Sequence, residues 1–193
     1  FNAVAEYNNT AMLCGDEGYV LEISPEGDTR LHNVGDNTRL ISIAGGPSGW
    51  VALSSNGNYH FSLEGRDWAR EYIPRASLNK VVAVVNRGKF YFLACGDEGK
   101  LFLIDFSGVE EIKLDYSNNL NDIYAGDDRI VICGSEGLIL SGDFDFNFQK
   151  IEGTSSSVDW LAIDGSNEGY VLCGTLGGMA YSDDGLTFSE VSP

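Results

Sequence analysis

Cys95-Gly96-Asp97-Glu98-Gly99 closes the apolar run Phe90–Cys95 with a tight turn. The phrase recurs as Leu13-Cys14-Gly15-Asp16-Glu17-Gly18, Leu53-Ser54-Ser55-Asn56-Gly57, Cys133-Gly134-Ser135-Glu136-Gly137 and Cys173-Gly174-Thr175-Leu176-Gly177. The last glycine of each falls at 18, 57, 99, 137 and 177, giving intervals of 39, 42, 38 and 40 residues. A period near forty in a chain of strand-type composition is the signature of a propeller or array.

Reading outward from the third phrase, Lys80–Val85, Phe90–Cys95, Leu101–Asp105 and Glu111–Leu114 are short β-branched and aromatic runs separated by Gly, Asn and Ser. That is the signal of consecutive strands and hairpins. The other four units parse in the same way. The expected fold class is all-β, a five-bladed β-propeller of four-stranded antiparallel blades. It is read as a single domain over 1–193, with blades at 1–33, 38–74, 78–115, 120–152 and 158–193. A ring of blades leaves only short protected edges. An open stack leaves an apolar face bare at each end, and neither end of this chain reads as a cap.

The chain has 193 residues and a formal charge of −17, from 29 acids against 12 bases. Nucleic-acid binding is excluded as a class, since tracking phosphates requires clustered Lys and Arg. No apolar stretch approaches the roughly 20 residues of a membrane span, so no membrane insertion is expected. Phe1-Asn2-Ala3 lacks the basic flank and apolar core of a signal peptide, and without Met the chain reads as trimmed, processed or cut from a longer one. A basic protein or peptide partner would be attracted and its association accelerated.

Cys14, Cys95, Cys133 and Cys173 occupy one repeat column, with Leu53 as its second member. Equivalent positions on different blades lie too far apart for a disulfide, which needs Cα atoms within about 7 Å. Four free thiols are therefore expected, and they favour a cytoplasmic location over an exported or periplasmic one. Ring-spaced cysteines and two histidines make no metal site, and no cofactor is expected.

Ser182-Asp183-Asp184-Gly185-Leu186-Thr187-Phe188 resembles the Asp-box, Ser-x-Asp-x-Gly-x-Thr-Trp, of the bacterial neuraminidase repeat. Ser182, Asp184, Gly185 and Thr187 match, and Phe188 replaces Trp. Ser62-Leu63-Glu64-Gly65-Arg66-Asp67-Trp68 is a decayed copy, and Ser107-Gly108 and Ser141-Gly142-Asp143 are fragments. Together with the Cys-Gly-x-x-Gly phrase, these units are similar to the repeats of photosystem II assembly-factor-like propellers. The resemblance implies a propeller whose box is a turn lock between third and fourth strands. It names no function, because such propellers include sialidases, lectin-like modules and assembly factors.

Two residue sets are candidates for a ligand face. The polar residues leading into each first strand, Asn2, Arg39, Asn79, Asn121 and Asp159, align as one column around a channel mouth, with Lys80, Asp122 and Trp160 beside them. The second-to-third-strand turns supply an acidic rim of Asp16, Glu17, Asp97, Glu98 and Glu136. Acids spread over separate blades do not converge on a cation, so no metal is assigned to them. A sialidase-like mechanism needs an arginine cluster, and only Arg39 of seven arginines falls in the mouth column. The chain therefore reads as a non-catalytic binding scaffold for a protein or peptide. The alternatives are a lectin-like carbohydrate-binding module, for which Trp160 beside Asp159 is the lone aromatic–polar pair, and a glycosidase-like enzyme using Asp122 and Asp159.

Overall fold

The structure is a computed structural model describing residues 1–166 and 168–191. Each repeat folds into one antiparallel sheet of four strands in chain order. Blade one holds β1 (Ala3–Tyr7), β2 (Thr10–Cys14), β3 (Tyr19–Ile23) and β4 (Thr29–Asn33). Blade two holds β5 (Leu40–Gly46), β6 (Gly49–Ser54), β7 (Asn58–Ser62) and β8 (Ala69–Tyr72). Blade three holds β9 (Leu78–Asn86), β10 (Lys89–Gly96), β11 (Leu101–Asp105) and β12 (Gly108–Ile112). Blade four holds β13 (Leu120–Ala125), β14 (Ile130–Gly134), β15 (Ile139–Gly142) and β16 (Phe148–Lys150). Blade five holds β17 (Trp160–Ser166), β18 (Gly169–Gly174), β19 (Met179–Ser182) and β20 (Ser189–Glu190). The architecture is the expected one, all-β with five four-stranded antiparallel blades.

Side chains alternate between the two faces of a strand. Each blade thus has a front face and a back face, and within each unit the back of one blade packs on the front of the next. By contacts the chain forms two compact units, Phe1–Ala94 with Phe102–Glu110, and Cys95–Leu101 with the chain from Glu111 onward. In the first unit Met12, Cys14 and Val20 on the back of blade one pack with Leu40, Ile43, Trp50 and Ala52 of blade two. Val51, Leu53 and Tyr59 on the back of blade two pack with Leu78, Val81, Phe92 and Ala94 of blade three. In the second unit Val131, Cys133 and Ile139 of blade four pack with Trp160, Ile163, Tyr170 and Leu172 of blade five. The cysteine column lies on the back faces. Cys14, Cys95 and Cys133 are buried, Cys173 is exposed, and all four are free thiols. Burial pushes the Cys14 thiol up to about 12 and raises Cys133 well above its ordinary value.

A bulge at the start of the first strand sets the register of three blades. Leu40, Leu120 and Trp160 pair with Ser54, Gly134 and Gly174, and the next pairs are Ser42–Leu53, Asp122–Cys133 and Ala162–Cys173. One residue of the first strand, Ile41, Asn121 or Leu161, is thereby left unpaired in the ladder.

The turn before the fourth strand is a side-chain lock in blade five. The Asp184 carboxylate accepts the N–H groups of Leu186 at 2.8 Å and Thr187 at 3.0 Å, and the Ser182 hydroxyl accepts Gly185 N–H at 2.8 Å. These backbone donors hold the Asp184 carboxyl below its ordinary value. Asp143 does the same in blade four, accepting the N–H groups of Asp145 and Asn147 at 2.9 and 3.0 Å.

Candidate functional site

The recurring turn has a physical reason for its glycine. Glu17, Glu98, Glu136 and Leu176 have φ of 57°, 57°, 56° and 58°, and the glycine after each has φ between 68° and 74°. Two successive left-handed residues reverse the chain within the turn, and the second carries no Cβ penalty because it is glycine. The linker to the next blade then lies directly on it. A Cβ on Gly18 would sit 2.2 Å from the Asp36 carbonyl oxygen, and one on Gly99 1.9 Å from that of Tyr116. The N–H groups of Gly18, Gly99 and Gly137 donate to the Thr38, Asn118 and Val158 carbonyls at 2.7, 2.8 and 2.7 Å.

Linker side chains complete the join. Asn119 Oδ1 accepts the Glu98 N–H at 3.1 Å, and Asp159 Oδ1 accepts the Glu136 N–H at 2.8 Å. Two residues further on, the Asn2 amide donates to the Leu40 carbonyl and the Asn121 amide to the Trp160 carbonyl, each at 2.8 Å. One residue later still, the Asp122 carboxylate accepts Ile123 N–H at 2.9 Å and Ile163 N–H at 3.1 Å. Ser42 Oγ does the same service for Val81 N–H at 3.1 Å.

The polar lead-in residues therefore form two columns where the sequence suggests one. By register, Asn2 and Asn121 are equivalent to Ile41 and Leu161, while Arg39 and Asp159 stand two residues earlier, with Asn119. The bulge separates the two sets, and counting back from the turn glycine passes over it. Asn79 and Lys80 are half-buried, each with an interaction partner. Trp160 differs from its expected place beside a ligand. It is fully buried in the core of the second unit, because its position, like those of Leu40 and Leu78 in the first unit, is an apolar one that packs on the neighbouring blade. Asp122 is buried too, held by the backbone donors of its own blade and the next.

The acidic turn residues remain at the surface. Glu17, Glu98 and Glu136 are exposed, and Glu136 receives the Asn118 amide at 3.4 Å. Asp16 receives the Asn2 amide at 3.1 Å and the Arg39 guanidinium at 3.2 Å. Both partners of that ion pair are mostly exposed, so its effect on stability is small. In the second unit Asp97, Glu98 and Glu136 lie on successive turns whose backbone is pinned by Asn119 and Asp159. Chemically this is a rigid anionic display.

One feature of the first unit has no strong sequence signal. Phe61 and Phe106 meet edge to face with centroids 4.5 Å apart, in a groove of about 470 Å³ also lined by Leu63, Glu64, Asp67 and Ala69. Its lining combines apolar side chains with the two acids Glu64 and Asp67. The two rings lie 45 residues apart on different blades, and only pairing of the sheets brings them together.

No family profile matches the sequence, and no curated protein does. Solved structures do match. A streptogramin B lyase structure superimposes with a TM-score of 0.81 at 9% identity, covering 99% of this chain and 68% of that one. The virginiamycin B lyase of Staphylococcus aureus gives 0.78 at 13%, covering 95% and 66%. YCF48 bound to D1 peptide gives 0.72 at 12%, covering 99% and 68%. The likeness is one of fold, that of a β-propeller, and this chain spans about two thirds of the length of each.

Proposed function

We propose that this chain is a non-catalytic scaffold that binds a protein or peptide of basic character through acidic turns between second and third strands, above all those of Glu98 and Glu136 in the second unit. The observation that carries the reading is the division of labour among its polar groups. Asn2, Asn121, Asp122 and Asp159 hold one blade to the next, whereas the carboxylates of Glu17, Glu98 and Glu136 point to solvent from turns of fixed backbone. A net charge of −17 extends that local display into a field that draws cationic partners. The propeller similar in fold that is bound to D1 peptide supports a peptide ligand in particular. The turn hydrogen bonds of Ser182, Asp184 and Gly185 support the Asp-box relationship, in which the box serves as a lock rather than a site.

Asp122 and Asp159, the pair a glycosidase-like reading would use, each accept a backbone N–H of a neighbouring blade, which supports a structural role for both. The lectin reading loses its aromatic platform with the burial of Trp160. A peptide array that varies cationic content tests the proposal. Capture of basic peptides that weakens with added salt, and weakens further in Glu98→Gln and Glu136→Gln, is expected. Capture indifferent to salt and to both substitutions, or capture of glycans alone, would overturn it.

A further inference from the structure

The turn between third and fourth strands uses its carboxylate differently in blade two than in the blades that follow. In blade five Asp184 accepts two N–H groups of its own turn, and in blade four Asp143 does the same. In blade three Asp105 accepts the N–H and the hydroxyl of Ser107 at 2.7 and 2.6 Å. In blade two the Ser62 hydroxyl accepts Gly65 N–H at 2.8 Å, and the Trp68 indole donates to the Gly65 carbonyl at 3.1 Å. That turn is closed without its acid. Glu64 stands in the place of Asp184, one methylene longer, and Asp67 in the place of Thr187. Among the described residues neither carboxylate has a hydrogen-bond or ion-pair partner. The adjacent cations are directed elsewhere, Arg66 to Glu22 at 3.8 Å and Arg70 to Asp36 at 3.3 Å.

Both free acids line the Phe61–Phe106 groove, which lies at the seam of blades two and three and wholly within the first unit. Its aromatic wall is held from blade three. The Asp105 lock fixes the turn that carries Phe106, and the Phe106 ring, 58% exposed, meets Phe61 at an interplanar angle of 78°. Two rings set nearly at right angles make a corner bounded by a face of each. Leu63 and Ala69 extend the apolar lining from there to Glu64 and Asp67. A ring face attracts a cation, more strongly as water is displaced. Ring faces, an apolar strip and unpaired carboxylates match the parts of an arginine side chain. Its flat guanidinium stacks on a ring, its fork of N–H groups donates to carboxylates, and its stem covers apolar surface.

We propose that the groove of Phe61, Phe106, Glu64 and Asp67 is a binding site for an arginine side chain of a partner polypeptide. Charge complementarity and the aromatic corner specify the occupant together. A lysine ammonium answers the charge, but it is compact, strongly hydrated and has no plane to stack. A neutral apolar side chain answers the rings and leaves two carboxylates unpaired. The site is separate from the acidic turns of Glu98 and Glu136, which belong to the second unit, and it does not depend on them.

An NMR titration of the chain, isotope-labelled at Phe and Ala, with three capped tripeptides is the test: Ala-Arg-Ala, Ala-Lys-Ala and Ala-citrulline-Ala. Citrulline keeps the shape of arginine without its charge. The arginine peptide is expected to shift the Phe61, Phe106 and Ala69 signals saturably, the lysine peptide more weakly, and the citrulline peptide not at all. This series needs no substitution. Glu64→Gln, Asp67→Asn and Phe106→Ala alter exposed side chains and should leave the circular dichroism unchanged. Each is expected to raise the Kd of the arginine peptide about 2- to 5-fold. Glu98→Gln combined with Glu136→Gln is expected to leave that Kd unchanged, so that the groove and the acidic turns succeed or fail separately. Absence of saturable shifts at the groove overturns the proposal. So does a lysine or citrulline peptide that binds as tightly as the arginine one, or a Kd indifferent to Glu64→Gln, Asp67→Asn and Phe106→Ala. Loss of the groove shifts in the Glu98→Gln, Glu136→Gln chain would place the binding on the turns and overturn it as well.

Discussion

The side-chain amide of Asn121 donates to the backbone carbonyl of Trp160 at 2.8 Å, across 39 residues of sequence. Asn2 makes the equivalent bond to Leu40 at the same distance. Blades four and five, and blades one and two, are joined by the same clasp. Removing the donor leaves a carbonyl at a buried residue without its partner, which costs about 1–3 kcal/mol. Asn121→Ala is expected to lower the urea midpoint by that much with an unchanged denaturant slope. Asn121→Asp should be at least as harmful, because a carboxylate cannot donate.

Gly99 and Gly177 share a backbone conformation but not an environment. Their φ values are 68° and 74°. A Cβ on Gly99 would press on the Tyr116 carbonyl, and one on Gly177 would meet open space. Gly177→Ala should therefore cost only the left-handed penalty, about 1 kcal/mol. Gly99→Ala adds displacement of the linker and should exceed it by about 2 kcal/mol or more. Thermal melts of the two variants side by side provide the comparison.

Asp122 and Ser42 do the same work with different side chains, each accepting the N–H of the first strand of the next blade. Asp122→Ala should destabilise by about 2 kcal/mol through the unpaired N–H groups of Ile163 and Ile123. Asp122→Ser is expected to recover part of that loss. Failure of the serine to outperform the alanine in chemical denaturation would show that the hydrogen bond is not the source of the effect.

His60 is buried, and among the described residues neither ring nitrogen has a hydrogen-bond partner. Its closest acid, Asp36, lies at 3.7 Å, beside Arg70. Burial lowers the His60 pKa below its ordinary value of 6.5, Asp36 opposes the shift, and Arg70 adds to it. The unfolded chain therefore takes up this proton at a higher pH than the folded one. Its contribution is fully present above pH 6.5 and is lost progressively as pH falls from there toward the folded-state pKa. Denaturation midpoints measured from pH 7.5 to 5 should decline more steeply in the wild type than in His60→Gln.

Three thiols are shielded and one is open. In dilute native protein a thiol reagent is expected to modify Cys173 alone, and all four cysteines once the chain is unfolded. Burial disfavours the thiolate at Cys14 and Cys133, so raising the pH to 9 should not bring them into reaction. Mass spectrometry after brief labelling distinguishes the sites.

The number of blades and the place of each turn were legible in the residue order. Left-handed backbone selects glycine locally, so Gly18, Gly57, Gly99, Gly137 and Gly177 appear without reference to anything distant. The alternation of Val, Cys and Ile along the second strands marked buried faces for the same reason. The lead-in residues were harder to place. Asn2, Arg39 and Asp159 look alike as polar residues before a strand, but a one-residue bulge puts Arg39 and Asp159 in a different column from Asn2. The intervals back to the turn glycine vary by several residues, and that irregularity was the available sign of two registers.

The sequence alone determined the period, the strands and the turn chemistry, because each depends on φ and ψ preferences and on burial patterns within a few residues. Only the tertiary structure decided which polar groups face solvent and which hold the blades together. Asn121 finds Trp160, Asp122 finds Ile163, and Asp159 finds Glu136 through hydrogen bonds spanning 39, 41 and 23 residues. A side chain cannot signal in its own sequence neighbourhood a partner that packing alone brings within hydrogen-bonding distance.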